Sequence, residues 1–333
     1  MIKVINNINM CLREIGHPGY EEDETWPNFD SDIYDTAANL IEHAQIGDPA
    51  WAAVKMVRYC GAPREWAEKV IEQAKVGNPA GAAVQMACFH GSPVPWAMRV
   101  IAWAKTGDPA KAALELFCFC GAPREWAEAI IERAQVGNPA RVAADMVHCH
   151  GSPREWAEGV IEKANTGDPA RIAVNMVRYC GSSREWAEGV IEQAKTGNPA
   201  WAAADMVRYY GSSREWAEKI IEQAKTGDPA KAALKMVRHC GSSRAWAERV
   251  IERAQIGDPA WVAMEMVCYY GSSREWAEEV IEQAQIGDPV QAATAMVQYC
   301  GSSREWAQEI VAQAQTSVID IKQNFTPALR RGR

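Results

Sequence analysis

Apolar and polar residues alternate along this chain in two helical patterns that return every 30 residues. In the block GDPAWAAVKMVRYCGAPREWAEKVIEQAKV, Gly47 to Val76, the first half is apolar on nearly every side through Ala50, Ala52, Ala53, Val54, Met56 and Val57. Its one polar stripe is positions 5, 9 and 12, counted from the first Gly, which fall within ~60° of one another by the i, i+4, i+7 rule. The second half is amphipathic: Trp66, Ala67, Val70, Ile71 and Ala74 share an arc of roughly 140°. Arg64, Glu65, Glu68, Lys69, Glu72 and Gln73 fill the rest of that helix. The pattern predicts an inner helix packed on most sides, with one strip free, and an outer helix with one buried face.

Start and stop signals frame both helices. Asp or Asn at position 2 followed by Pro at position 3 is an N-cap with proline in the first helical turn. Gly at position 15 supplies a C-terminal residue free to take positive φ. Ser182 with Glu185 reads as a capping box for the second helix, lacking its Ser half where Ala62 or Ala122 stands. The leading Gly recurs from Gly47 to Gly287 and a Trp keeps step from Trp66 to Trp306. A strict repeat of this length is the signature of a stacked array in which each repeat buries its face on its neighbours.

The expected fold is therefore an all-α, right-handed α-solenoid of nine two-helix repeats over residues 47–316, with degenerate terminal caps. Residues 1–46 form the first cap: a helix over Ile2 to Ile15, an acidic loop from His17 to Asp35, and a half-repeat from Thr36 to Ile46. Residues 317–333 form the second, in which Val318, Ile321 and Phe325 cover the last repeat and Arg330, Arg331 and Arg333 make a basic end. Over residues 36–316 the chain resembles the tetratricopeptide and HEAT-like class of helical repeats, the Gly-Asp-Pro turn being similar to that of short HEAT-like repeats. The resemblance is architectural, because the repeat is shorter than a tetratricopeptide and its Trp-Ala-Glu-x-Val-Ile block departs from that pattern. It implies a partner-binding fold and no particular binding residues.

Composition narrows the function. A net charge of −8 disfavours a dedicated nucleic-acid binder. No run approaches the ~18 apolar residues of a membrane span, and the start MIKVINNINMCLREIG lacks a signal peptide's apolar centre. The ten Cys sit mostly at positions 12 to 14 without a paired framework, and are expected to be free thiols in a reducing cytoplasm. The thiols and imidazoles of position 14 (Cys60, His90, Cys120, His150, Cys180, Cys240, Cys300) do not suggest a metal site, since equivalent residues of neighbouring helices lie ~10 Å apart. Glu68 with Glu72, and their counterparts, are expected to be a solvated outer surface. No phosphate loop, nucleophile elbow or HExxH occurs, so neither an enzyme nor a cofactor is expected.

Comparing the nine repeats with one another isolates the candidate site. Positions 5, 9 and 12 vary most and collect three Trp, ten basic and four acidic residues. Trp and Arg are the residues enriched at binding hot spots. Apolar anchors would be Trp51, Trp201 and Trp261. The cations would be Lys55, Arg58, Lys111, Arg141, Arg171, Arg178, Arg208, Lys231 and Arg238. The outer helices and Asp caps are acidic, so the inner strip is a basic lining that attracts anions. The expected function is a non-catalytic scaffold holding a partner protein or peptide of acidic character along a concave face. A single strand of nucleic acid or a nucleotide fits less well, because Glu115, Asp145, Asp205 and Glu265 interrupt the strip and repel phosphate. The third expectation is head-to-tail self-assembly through the acidic 21–35 segment and the basic 330–333 end.

Overall fold

The computed structural model describes residues 2–18 and 32–324. The described residues are helical, with twenty helices and no strand. The chain divides into two compact units at Ile172/Ala173, and each is considered by itself. Unit 1 opens with α1 (Ile2–Arg13) and α2 (Asp32–Glu42). The pairs α3 (Pro49–Cys60) and α4 (Arg64–Gln73), α5 (Pro79–Phe89) and α6 (Val94–Trp103), α7 (Pro109–Cys120) and α8 (Arg124–Arg133), and α9 (Pro139–His150) and α10 (Arg154–Glu162) follow. The helix α11 (Pro169–Cys180) contains the division. Unit 2 continues with α12 (Arg184–Gln193) and the pairs α13 (Pro199–Tyr210) and α14 (Arg214–Gln223), α15 (Pro229–Cys240) and α16 (Arg244–Glu252), and α17 (Pro259–Tyr270) and α18 (Arg274–Gln283). It closes with α19 (Pro289–Tyr299) and α20 (Arg304–Asn324). Within each unit, first helices pack on their own second helices and on the first helix of the next repeat, as α3 on α4 and α5, α5 on α7, α13 on α14 and α15, and α17 on α19. This is the helical-repeat solenoid that the period predicts. Helix α1 packs on α3 as if it were a preceding first helix.

Burial follows the predicted faces. Ala50, Ala52, Ala53, Val54 and Met56 of α3, and Ala67, Val70 and Ile71 of α4, are buried. Val318 and Ile321 lie in α20, but their side chains, Phe325, the 19–31 stretch of the acidic loop and the basic end lie outside the described residues. Among the described residues no helix is long and apolar enough to cross a membrane.

The turn between repeats depends on two residues. The Asp48 carboxylate accepts from the Trp51 N–H of its own helix at 3.0 Å. Its other oxygen accepts from the Asn78 N–H of the next repeat at 2.9 Å. One side chain thus caps a helix and fixes the following turn. Gly77 passes so close that a Cβ there would lie 2.4 Å from the Asp48 carboxylate oxygen, and its φ is +77°. Steric space and backbone sign both require glycine at that point.

The second helix begins one residue later than the capping box Ser182–Glu185 implies. Ser183 is the N-cap, its Oγ accepting from the Trp186 N–H at 3.1 Å, and Glu185 turns instead to Arg184 at 2.8 Å. Where Pro63, Pro93, Pro123 or Pro153 occupies that place no side chain caps the helix. The Ser at position 16 is buried and reaches back to the preceding repeat: Ser152, Ser242 and Ser272 each donate to a Glu, Glu128, Glu218 and Glu248, at 2.6 Å.

The outer carboxylates Glu72, Glu192, Glu222 and Glu282 are exposed, as expected of an outer surface, and they are also fasteners between repeats. Trp96, Trp216, Trp246 and Trp306 donate their indole N–H to Glu72, Glu192, Glu222 and Glu282 of the previous repeat at 2.8 Å. Arg64, Arg184, Arg214 and Arg274 donate forward to the carbonyls of Gly91, Gly211, Gly241 and Gly301 at 3.0–3.1 Å. The acids face solvent and are also spaced for their neighbours' donors. From the cap geometry, Ser183→Ala is expected to cost about 1 kcal/mol. Ser182→Ala, whose buried hydroxyl has no hydrogen-bond partner, should stay within roughly 0.5 kcal/mol of the parent. Urea midpoints of the two variants check this; the reverse order would restore the capping box.

Candidate functional site

Positions 5, 9 and 12 of the first helices share one face, but their side chains do not share one role. In unit 1, Lys111 and Arg141 are exposed and lean on Glu115 (3.8 Å) and Asp145 (4.0 Å) of their own helices. Lys55 is drawn off to Glu14 at the end of α1. Trp51 is half-buried, while Arg58 and Arg171 are exposed. In unit 2, Lys235 is only 9% exposed; it pairs with Asp205 and lies 3.9 Å from the centroid of the Trp201 ring. Trp261 is half-buried and donates to Glu265 at 3.2 Å. Lys231 folds back on its own N-cap, Asp228, at 3.1 Å. The four acids expected to interrupt the strip are therefore each matched by a donor on the same face. Exposed pairs such as Lys111–Glu115 are individually weak; Lys235–Asp205 is the sheltered one.

The arginines at position 12 behave differently. Arg58, Arg178, Arg208 and Arg238 are exposed, and among the described residues none has a carboxylate within ion-pair distance. Three of them lie over the ring of the next residue: Arg58 over Tyr59 at 5.1 Å, Arg178 over Tyr179 at 4.9 Å and Arg208 over Tyr209 at 4.8 Å. Partial desolvation, with the charges of Arg208, Arg238 and Lys235 added, holds His239 below the ordinary imidazole value. That is the local mark of a cationic patch.

Position 13 is the part of the site that periodicity arguments on the sequence passed over. It reads Tyr59, Phe89, Phe119, Cys149, Tyr179, Tyr209, His239, Tyr269 and Tyr299. The seven aromatic side chains are between 41% and 76% exposed. Position 13 is four residues beyond position 9 and so belongs to the same stripe. Its apolar character disguised it as core. Exposed aromatics in series are uncommon on a monomer's surface and mark an interaction face.

Positions 12 and 14 meet across repeats, because they point to opposite sides of their helices and so face different neighbours. Cys88 is joined to Cys120 and Cys268 to Cys300, each by a disulfide with a sequence separation of 32. Cys118 Sγ lies 3.3 Å from His150 Nε2. Where Arg58 stands at position 12 it lies beside His90, which burial first and that charge second hold below the usual imidazole value. Cys11 and Cys60 are hydrogen-bonded to each other; that bond, then burial, pushes the Cys11 thiol far above its ordinary value, while the same bond pulls Cys60 down against the effect of burial. The expectation of ten free thiols is thus overturned, and with it the ground for a reducing compartment. The bonded cysteines occupy non-equivalent positions, 12 and 14, which a 30-residue period does not pair. Six cysteines lie outside the two disulfides.

A concavity of about 1020 Å³ crosses the C-terminal ends of α2, α4 and α6 in unit 1. Trp103, which is 81% exposed, stands beside Val70, Ile71, Val100 and Arg99 there. Among the described residues no three His, Cys, Asp or Glu side chains converge as metal ligands would.

No protein-family model, curated protein or solved structure matches the chain.

The disulfides give a direct test. Alkylation of the denatured chain without reductant should block six cysteines, and after reduction all ten. By the loop-entropy relation, each closure of about 33 residues is worth roughly 3–4 kcal/mol, so reductant should lower the urea midpoint markedly. Ten alkylations before reduction would show four separate thiols in place of the two bonds.

Proposed function

We propose that the chain is a non-catalytic scaffold that holds a partner polypeptide of acidic character along the face of its first helices. The observation that carries this reading is the coincidence, on one face, of arginines without carboxylate partners and a row of exposed aromatics. Arg178, Arg208 and Arg238 with Tyr179 and Tyr209 are its densest part. Guanidinium groups recognise carboxylates by paired, charge-assisted hydrogen bonds. Aromatic rings supply area at little entropic cost. Within unit 2, Trp201, Trp261 and Lys231 extend this face; Trp51, Lys111, Arg141 and Arg171 hold the corresponding positions in unit 1. Lys55 and Lys235 support it from beneath, as partners of Glu14 and Asp205.

One observation favours a second reading, capture of a single strand of nucleic acid. Glu115, Asp145, Asp205 and Glu265 are matched by neighbouring donors, which lessens their repulsion of phosphate. Stacking of bases on Tyr between Arg would suit such a strand.

With labelled polyglutamate as probe, Trp201→Ala combined with Arg208→Ala is expected to weaken binding at least about tenfold, the loss of a hot-spot pair, while helicity by circular dichroism stays unchanged. Equal affinity would remove the face from the proposal. A salt titration with random single-stranded DNA decides the second reading. Tight binding with a slope near −0.7 for each phosphate contacted would favour the nucleic acid.

A further inference from the structure

We propose that the unit 2 part of this face takes an extended acidic segment in the polyproline II conformation, one three-residue turn for each repeat. The inference rests on the polypeptide reading above and adds the conformation and the spacing of the ligand.

Successive first helices present one position-13 side chain each: Tyr179, Tyr209, His239, Tyr269 and Tyr299. All five are exposed. Helices in contact lie about 8–10 Å apart, so the rungs of this ladder recur at that interval. A polyproline II helix rises about 3.1 Å per residue with three residues per turn, bringing a side chain to the same side every ~9.3 Å. An extended strand repeats every ~6.6–6.8 Å, and an α-helix turns every ~5.4 Å. Of the three regular backbones, only the first stays in register with the ladder over several repeats. Its backbone keeps no hydrogen bonds of its own, and rows of aromatic rings are the surfaces on which it docks.

Charge selects the third residue of each turn. Arg178, Arg208 and Arg238 stand beside Tyr179, Tyr209 and His239, and among the described residues none is neutralised by a carboxylate. The Arg178 and Arg208 guanidinium groups already lie over their tyrosine rings. A carboxylate arriving there meets donors already positioned over the rings, and completes a carboxylate–guanidinium–ring stack. Beyond Arg238 the cations stop: position 12 becomes Cys268, held in its disulfide, and Gln298. The acidic triplets of the ligand therefore belong on the Tyr179–His239 end, and neutral, proline-rich residues on Tyr269 and Tyr299.

The test uses the full chain and fluorescence anisotropy with four labelled probes. They are five Glu-Pro-Pro triplets, a scrambled peptide of equal composition, five Gln-Pro-Pro triplets, and an oligothymidine of equal length. The Glu-Pro-Pro probe should bind at least about tenfold more tightly than the scrambled and Gln probes, the scale of a hot-spot interaction. Arg178→Gln, Arg208→Gln and Arg238→Gln together should abolish that advantage, and Tyr179→Ala with Tyr209→Ala should reduce it, with circular dichroism unchanged. Equal affinity for the scrambled peptide would overturn the three-residue register and leave the polypeptide reading standing. Binding of the oligothymidine alone, or of no probe, would overturn both. The conservative Arg178→Lys, Arg208→Lys, Arg238→Lys variant keeps charge but loses the planar stack; full affinity in that variant would overturn the stacking geometry.

Discussion

The structure depends on the Asp or Asn at position 2, which caps its own helix and, at Asp48 and Asn198, also holds the following turn. In Asp48 one oxygen satisfies the N-terminus of α3 and the other holds the backbone of Asn78 at the following turn. Asn198 serves Trp201 and Asp228 with its single oxygen. A helix N-terminus has donors that need acceptors in any case, so the array obtains its register from a group it must supply anyway. The close passage of the following glycine, seen again at Gly107 on Asn78, Gly137 on Asp108 and Gly257 on Asp228, makes the step tight enough to tolerate no side chain. The remaining inter-repeat bonds on the outer layer, indole to carboxylate, hydroxyl to carboxylate and guanidinium to carbonyl, are consequences of that step.

Because most of the fastening is done at the turns and on the outer helices, the exposed strip of the first helices is largely released from structural duty, Lys235 with Asp205 and the disulfides of Cys88 and Cys268 excepted. Substitution there leaves the buried alanines and Met56, Met86 or Met206 beneath undisturbed. The strip still answers to local electrostatics. Each acid at position 9 has recruited a donor, and Lys235 has become nearly buried in answering Asp205 beside Trp201. What is left over is the position-12 arginines and the position-13 rings, and these define the chemistry of the face.

Much of this was legible in the chain and some was not, for one physical reason. Helical periodicity reports the angle at which a side chain leaves its own axis. It therefore located the buried faces of α3 and α4, the Asp48 and Asn78 caps, and the exposure of Arg58 and Lys111. It does not report which neighbour lies in that direction or how far along its axis. The pairing of Cys88 with Cys120, the reach of Trp96 to Glu72 and of Ser152 to Glu128, and the burial of Lys235 all depend on that second coordinate. Position 13 was missed differently: its angle was readable, but residue type was allowed to outweigh it. Ser182 was mistaken for a cap because Ser183, beside it, offers the same hydroxyl.

The fasteners have a consequence for how such a chain changes length. Indole to carboxylate spans 24 residues, guanidinium to carbonyl 27 and one turn to the next 30. These links join a block to its immediate neighbour, and they recur with the same groups in several of the repeats. Excision or duplication of a whole block within a unit therefore brings together ends that already carry the matching donors and acceptors, whereas a shift of one residue severs every link it crosses. The molecule is built to be counted in blocks, so that lineages of such chains can alter their reach by integers while each joint stays chemically the same.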